Sequence, residues 1–395
     1  MSINKVASTS YVQMAYIPEI VAGTTPDKGK GINLRFTGES FNQALTAEVS
    51  AEIESSRQTR SRFLTNAEVA GGLNFELSAG EYDPFLEALL MGSWSKFGNN
   101  GVLTAGKVVF AANAKTITFG NAVSGLAAGD YFSVHDDKIE GVNRGPHRVK
   151  SIDSEKKIIT VYGELKDQIV EGSKIYHGKL VNGVTPKYFS IEKQYTDVKQ
   201  TTVFSGMQVG KMSANFNMRA AITGSFDFVG RSMTTGTGRL LGDKAAYTAS
   251  QDGSVIDTVL GMKDVLFNGK TTNEQLSAGI TELSLEFDNN LQGLGAVGVL
   301  GNVATVAGTI NCSGSLTMYM NDLSLYKSVL NQERFRIEWS VYDREGHGYA
   351  FVLPSVELDS PEAQVGQKDE AAMITVNFNA LMDPKLSKTM IIYRF

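Results

Sequence analysis

One group of residues has side chains that could bind a metal ion: His135, Asp136 and Asp137, followed at a distance by His147. Imidazole and carboxylate groups are common metal ligands, but metal sites hold them at characteristic spacings, often one helical turn apart. Here the two acids follow His135 directly, and a turn-rich stretch separates them from His147. No pair of candidate ligands has helical spacing. We therefore expect no metal ion and no other cofactor.

Two other features resemble catalytic motifs only superficially. Residues 236–242 are glycine-rich, but no strand-to-helix context of the kind that forms a phosphate loop surrounds them. The chain lacks a Gly-x-Ser-x-Gly nucleophile elbow, and its one cysteine, Cys312, is predicted to be a small core residue in a strand. His177 and His347 are predicted to be surface or turn residues. We therefore expect that the protein is not an enzyme.

The composition indicates a folded, β-rich protein. The 395 residues include 42% hydrophobic and 20% charged residues, with 40 glycines but only 8 prolines. Short alternating segments separated by Gly, Asn and Asp are typical of strands and turns, whereas long helical patterns are nearly absent. The fold class is therefore predicted to be mainly β. A net charge of −5 argues against tight nonspecific binding to nucleic acid, which needs clustered cations.

The sequence also lacks the usual signs of export or membrane insertion. The N-terminal segment 1–20 has no apolar core like that of a signal peptide. No apolar run approaches the roughly 20 residues that a membrane-spanning helix needs. With a single cysteine, an internal disulfide is impossible. We expect a protein that is soluble, is made in the cytosol and has no membrane partner.

Several short segments occur twice in the same order, which indicates an internal duplication. The matched segments are 34–38 with 265–269, 48–54 with 282–288, 67–71 with 304–308, 189–192 with 335–338, and 222–227 with 374–379. Each copy also carries a short helix signal. In the first copy Asp83 is the predicted cap and Pro84 the first helical residue, and in the second copy the signal begins at Asp322.

The spacing between the copies shortens after the helix signal, so the first copy contains an insertion. We predict two β-sandwich units, each with a short flanking helix, and a small inserted β-barrel or sandwich. The predicted boundaries are 1–100 plus 184–232 for the first unit with an N-terminal arm at 1–29, 101–183 for the insert, 233–262 for a connector and 263–395 for the second unit. Strands of the insert are predicted at 107–110, 116–119, 131–135, 148–152, 158–161 and 174–177.

One strand in each copy is predicted to have an apolar and an acidic face. Residues 45–54 alternate strictly, with Leu45, Val49 and Ile53 among the residues assigned to the core. In the second copy the core-facing residues are Leu283, Leu285 and Phe287. Adjacent carboxylates on one strand face repel each other, so they do not serve stability. The acidic face is either a solvated surface or a functional one.

These segments resemble the major tail tube proteins of bacteriophages with long, noncontractile tails. The resemblance lies in residues 16–26, 34–40, 71–77, 82–90, 188–192 and 349–354, and in the ending Arg394-Phe395. It covers most of the chain outside the insert and the connector. The resemblance implies a structural protein of the virion tail, made in the host cytoplasm, that assembles as stacked rings around a channel for the genome. Its further partners would be the tape measure, terminator and tail tip proteins.

In such a tube the acidic face would line the channel and repel the phosphates of DNA, which would pass without specific binding. The residues predicted to line the channel are Glu48, Glu52, Glu54, Glu282, Glu286 and Asp288. Two loops are predicted to contact neighbouring rings or subunits, although ordinary flexible hairpins are the alternative. Their residues are Arg57, Arg60 and Arg62 in loop 55–66, and Leu291, Leu294, Val297 and Val299 in loop 289–303.

The duplication bears on the size of the ring. Family members with one unit form rings of six, so two units per chain predict a ring of three chains, with a ring of six chains as the alternative. The alternative function is that of a carbohydrate-binding or adhesive β-sandwich protein. Such a module would present exposed aromatic residues, whereas the two tryptophans, Trp94 and Trp339, are predicted to lie in the core.

Overall fold

The computed structural model describes residues 6–139, 141–267, 279–320, 329–359, 361–364 and 371–395. These residues form a mainly β structure, as predicted. The chain before the insert contains a 3-10 helix (Thr9–Tyr11), β1 (Val12–Glu19), β2 (Ile32–Leu34), β3 (Gly38–Glu39), β4 (Asn42–Val49), β5 (Arg62–Glu76) and helix α1 (Asp83–Leu89).

Six strands after α1 close into a barrel, in agreement with the small inserted β-barrel that the sequence predicts. They are β6 (Val102–Ala111), β7 (Thr116–Phe119), β8 (Tyr131–His135), β9 (Pro146–Ile152), β10 (Ile158–Val161) and β11 (Gln168–Tyr176), with a 3-10 turn at Gly141–Asn143. The strand order around the barrel is β6-β7-β10-β9-β8-β11. Its interior is filled by apolar side chains from every second residue, among them Val108, Ile117, Phe132 and Ile175.

The remaining strands belong to the large sheets of the two halves of the chain, except β19 and β20, which form a separate two-stranded sheet. The first half contributes β12 (Gly178–Val181), β13 (Tyr188–Tyr195), β14 (Gln200–Asn217), β15 (Thr223–Gly230) and β16 (Ser232–Gly236). The second half contributes β17 (Met262–Phe267), β18 (Ile280–Asp288), β19 (Gln292–Leu294), β20 (Ala304–Val306), β21 (Asn311–Tyr319), β22 (Phe335–Tyr342), β23 (Gly348–Leu358), β24 (Glu362–Gln364), β25 (Met373–Ala380) and β26 (Ile391–Arg394).

The two halves share one order of antiparallel neighbours. In the first half β13 pairs with β14, β14 with β15, β15 with β5, and β5 with β3 and β4. In the second half β22 pairs with β23, β23 with β25, β25 with β21, and β21 with β18. The register of the β13–β14 pairing shifts between Phe189 and Ile191, and that of the β22–β23 pairing shifts at the corresponding place, between Phe335 and Ile337. This agreement supports the predicted duplication.

The halves are joined through both a sheet and a core. Strand β14 pairs with β18, so one sheet continues from the first half into the second. A single hydrophobic cluster extends across both, from Phe85 on α1 to Trp339 on β22. The ring of Trp339 meets that of Phe216 edge-on with centroids 5.6 Å apart. Trp339 is fully buried, as predicted for a core residue.

Helix α1 differs in detail from the prediction. Asp83 is its first residue and Tyr82 precedes it, so Asp83 is not the cap. The carboxylate of Asp83 accepts hydrogen bonds from Tyr349 and Arg394 of the second half instead. The predicted second helix, which begins at Asp322, lies mostly outside the described residues.

The alternating segment 45–54 also differs from the prediction. Strand β4 ends at Val49, and Leu45 and Val49 are 56% and 55% exposed. Strand β5 pairs with β15 only over residues 69–76. At about 3.3 Å per residue, the rest of the β4–β5 hairpin therefore projects roughly 20 Å beyond β15. Among the described residues, no second layer covers this part of the hairpin, so the expectation of a core-facing strand was wrong here. The corresponding expectation for the second half is confirmed by the burial of Leu283, Leu285 and Phe287.

Candidate functional site

The sheet that joins the halves has one polar face. Its strands run in the order β4-β5-β15-β14-β18-β21-β25-β24. Alternate residues of each strand point to the apolar core on one side and away from it on the other. The residues on the outer face are short and polar for the most part: Asn74, Glu76, Thr223, Ser225, Asp227, Lys211, Ser213, Asn215, Asn217, Glu282, Ser284, Glu286, Asp288, Asn311, Ser313, Ser315, Thr317, Thr375, Asn377 and Asn379.

Hydroxyl groups on this face are hydrogen-bonded to one another across neighbouring strands. Oγ of Ser213 lies 3.0 Å from Oγ of Ser225 in the first half. The hydroxyls of Ser284 and Ser315 are 2.8 Å apart in the second half, and a third pair joins Thr317 to Thr375. Cross-strand hydroxyl pairs of this kind stabilise a sheet. They also engage donors that an oxygen-rich ligand would otherwise use.

The charges on the face are mostly negative and centre on β18. Lys211 donates to Glu286 over 2.7 Å, and this hydrogen bond, opposed by partial burial, raises the pKa of the lysine. The pKa of Asp227 is raised by burial, with Lys211 lowering it and Asp288 raising it further. The cation on this part of the face is therefore already paired with a carboxylate.

The six acids predicted to share one face fall into two groups. Glu282, Glu286 and Asp288 lie together on the polar face of β18. Glu48 lies opposite Phe63 on the projecting hairpin, beyond the part of β5 that pairs with β15. Glu52 and Glu54 follow the end of β4, so they do not belong to a strand face. The carboxylate of Glu54 instead forms an ion pair of 2.9 Å with Arg60.

The β4–β5 hairpin carries exposed apolar residues on both faces. Leu45 and Val49 on β4, Phe63 and Leu64 on β5 and Ile53 between the strands are each more than half exposed. Of the three arginines predicted in its loop, Arg57 and Arg60 lie between the strands, whereas Arg62 is the first residue of β5. Soluble chains seldom expose contiguous apolar surface unless it meets a partner.

The corresponding loop of the second half contains the small hairpin β19–β20. Its base is held to the first half, since Asn289 Nδ2 donates to the carbonyl of Leu89 over 2.7 Å and Asn302 Nδ2 donates to that of Gly230 over 3.1 Å. Its tip is exposed and apolar. Leu291 is half-buried, and the exposed side chains include Leu294, Val297 and Val299.

The candidate metal ligands do not come together. His135 stacks on His347 with ring centroids 3.8 Å apart, while His147 is buried near the carbonyl of Asn143. No group of three or more potential ligands forms among the residues with described positions. His177 lies in the connection between β11 and β12 and is buried, and its Nδ1 donates a hydrogen bond of 2.7 Å to the carbonyl of Tyr131. It is therefore not a surface residue.

The tryptophans do not offer a binding platform. Trp339 lies in the core, and the ring of half-buried Trp94 is covered by the guanidinium group of Arg394 at 4.7 Å. Cys312 is buried in β21, as predicted. In the part of the chain that the structure describes, none of the helices is both long and apolar enough to cross a membrane.

Sequence reasoning missed two features of the site. The hydroxyl pairs depend on the register of β14 with β15 and of β18 with β21, which a sequence does not give. The alternation of Ser213, Asn215 and Asn217 with apolar residues was a usable signal for a polar strand face. The hairpin was missed because alternation alone does not say whether an apolar face is covered by the same chain.

The comparison with protein families assigns the chain. A family model described as phage tail tube protein matches residues 9–380, which include the polar sheet and most of both halves. Among curated proteins, no match to the chain is found. Phage tail tube proteins are structural components of the virion tail that assemble into a tube. The chain belongs to the phage tail tube protein family.

Proposed function

We propose that three copies of this chain form a ring, that the rings stack into the tail tube, and that the polar face of the joined sheet lines the channel through which DNA passes. The observation that carries the proposal is the pairing of β14 with β18. This pairing makes one polar-faced sheet from two halves with the same strand order, so the chain already contains one junction between neighbouring units.

The same junction provides a model for ring closure. The first half places the end of β14, residues 211–217, against β18. In the second half the corresponding position is taken by β24, whose strand partner among the described residues is β25. At the other end of the sheet, β3 and the beginning of β4 pair with β5. Open edges of this kind are satisfied by a neighbouring chain in a closed ring. We infer that β24 of one chain lies beside β3 and β4 of the next.

The number of chains follows from the number of units. A ring of six units needs three chains when each chain supplies two, and each ring then alternates junctions within a chain with junctions between chains. A ring of six chains is the alternative. The two differ twofold in mass, which mass measurement of isolated rings resolves.

The polar face suits a wall that DNA must slide along. Phosphates bind strongly where several lysines or arginines are free to replace counterions. On this face Lys211 is paired with Glu286, and Glu282 and Asp288 add negative charge. The hydroxyls are bonded to each other. Repulsion acts over roughly 8 Å at physiological salt, so DNA is kept from adhering and is not expelled.

The β4–β5 hairpin and the β19–β20 loop are the proposed contacts between rings. Both extend from corresponding places in the two halves, and both expose apolar side chains. Burial against the next ring would remove this surface from water. Tape measure, terminator and tail tip proteins are the further partners we propose, at the inside and the two ends of the tube.

Cysteine labelling tests the channel assignment. Glu282→Cys puts a thiol on the polar face, and Ile169→Cys puts a matched thiol on the outside of the barrel, where Ile169 is 62% exposed. The native Cys312 is buried and gives little background. A maleimide carried by ferritin, which is far wider than a DNA duplex, is the probe. Both thiols should react in unassembled chains, but only the one at position 169 should react in tubes. Equal reaction of both in tubes would place the polar face outside.

A further inference from the structure

Two glutamates are buried at corresponding places in the two halves. Glu192 on β13 and Glu338 on β22 each come directly after the register shift of their strand, which lies between Phe189 and Ile191 and between Phe335 and Ile337. Both glutamates are almost fully buried. Each also faces a valine on the neighbouring strand, Val203 in the first half and Val352 in the second. A buried carboxylate is costly unless it is paired or hydrogen-bonded. Each glutamate therefore needs a charged or hydrogen-bonding partner.

In the first half the partner is the segment that follows β16. Oε2 of Glu192 accepts hydrogen bonds from the backbone N–H of Leu240 over 2.6 Å and from the hydroxyl of Tyr247 over 2.9 Å. Around this anchor, Leu241 packs with Val203 in a small apolar cluster. The segment thereby covers the outer side of β13 and β14.

In the second half the partner is the inserted barrel. Nη2 of Arg148, on barrel strand β9, lies 2.9 Å from Oε1 of Glu338. The other carboxylate oxygen accepts from Arg336 of the same strand. Around this anchor, Tyr131 of the barrel packs with Val352 and Tyr393 in an apolar cluster. The barrel thereby covers the outer side of β22 and β23.

We propose that the repeated glutamate is an anchor for the outer cover of each half, and that the barrel is the cover of the second half although it is inserted in the first. The partner that this surface fits is thus a domain of the same chain, which it binds through Arg148 and Tyr131. Because the barrel is continuous with the first half and contacts the second through Glu338, it adds a further link to the β14–β18 pairing and the shared core. The three links together fix the angle between the halves. In the proposed ring, on which this last step rests, that angle sets whether the ring closes.

Arg148→Met tests the anchor, because methionine keeps most of the side-chain volume and removes the barrel's charge on Glu338, while Arg336 still pairs with the other carboxylate oxygen. Lys150→Met is the matched control, since Lys150 lies on the same strand but is exposed. Hydrogen exchange of the unassembled full-length chain is measured at 349–352 and 391–394, which the barrel covers. Loss of a buried charged hydrogen bond should raise exchange there about tenfold or more, while exchange at barrel strands β6 and β7 stays slow. The control should match the wild type.

The outcomes separate the two parts of the proposal. Exchange in Arg148→Met equal to that in Lys150→Met would overturn the anchor. Raised exchange together with rings that close as in the wild type would overturn the link between docking and ring geometry. Raised exchange with failed or irregular rings supports both. If the wild type forms no rings, the proposed function fails, and the exchange measurement on single chains still decides the anchor.

Discussion

The hydroxyl of Tyr349 donates a hydrogen bond of 2.8 Å to Oδ1 of Asp83. The hydroxyl oxygen of Tyr349 in turn accepts a hydrogen bond of 2.8 Å from the N–H of Gly80, and Arg394 pairs with Oδ2 of Asp83. Burial raises the pKa of Asp83, and Arg394 opposes that shift. This polar cluster ties the first residue of α1, in the first half, to β23 and β26 in the second.

Tyr349→Phe should therefore destabilise the whole chain. It removes the donor to Asp83 and leaves the N–H of Gly80 without that acceptor, and an unsatisfied buried polar group costs about 1–3 kcal/mol. The free energy of unfolding from urea titration is the measurement. Tyr319→Phe is the control, because Tyr319 is 42% exposed and should change it little. Equal effects of the two changes would show that the cluster does not couple the halves.

The apolar hairpin should be needed for assembly but not for folding. Lysine at Leu45 and Phe63 places charges on both of its faces, and neither residue has a buried environment to lose. We expect the double variant Leu45→Lys with Phe63→Lys to unfold at the wild-type temperature but to form no tubes by electron microscopy. The control Ile169→Lys, at similar exposure on the barrel, should assemble normally. Normal tubes from the double variant would exclude the hairpin from the contacts between subunits.

DNA passage should depend on the charge of the polar face. Glu282→Lys with Ser284→Lys adds free cations to β18, and phosphate contacts strengthen as salt falls. Ejection from virions should slow relative to the wild type, most at low ionic strength. Glu171→Lys on the barrel is the control, since the side chain of Glu171 is largely exposed on the barrel surface. Ejection rates that match the control at every salt concentration would contradict a channel position for this face.

Acid should loosen the contact between the barrel and the second half. Burial, then the neighbouring charge of His347, lowers the pKa of His135 from its ordinary 6.5 to about 3. Because the unfolded chain then binds the proton more readily, stability is full above pH 6.5 and falls as the pH drops towards 3, by about 2 kcal/mol between pH 7 and 5 for this group. Burial raises the pKa of nearby Asp343 to about 6. The folded chain therefore binds this proton more readily than the unfolded chain, so Asp343 adds stability as the pH falls.

The variant His135→Phe isolates the histidine, because Asp343 is unchanged and an aromatic ring still faces His347. Melting temperature is measured from pH 7 to pH 5 for both proteins. The wild type should lose more stability than the variant over this range. Parallel curves would mean that the His135–His347 stack does not govern the response to acid.

Much of the fold could be predicted from local patterns. Alternation located the strands of the barrel and the buried face of β18, because a period of two reports which residues share a face. The repeated Phe-x-Ile-Glu segments predicted corresponding strands, and these carry the same irregularity in register. Short segments of this kind determine their own backbone geometry, so each strand can be predicted from its own local sequence.

The site could be predicted only in part. The acids of β18 lie together on one face as expected, but Glu48, Glu52 and Glu54 do not join them, because the position of β4 depends on how far β5 extends past β15. Likewise, the apolar face of β4 resembles a core face in sequence, and only the tertiary arrangement shows that Leu45 and Val49 are exposed in the part of the chain that the structure describes. The pairing of Arg148 with Glu338 spans residues far apart in sequence, and no local signal indicates it.

An electron cryomicroscopy reconstruction of assembled tubes tests the central claim most directly. It gives the number of chains per ring and the distance of each strand from the tube axis. We predict three chains per ring, a continuous sheet in which β24 of one chain lies beside β3 and β4 of the next, and Ser284 nearer to the axis than Ile169 of the barrel. A reconstruction with Ser284 on the outer surface, or with the β14–β18 sheet set away from the channel, would contradict the account.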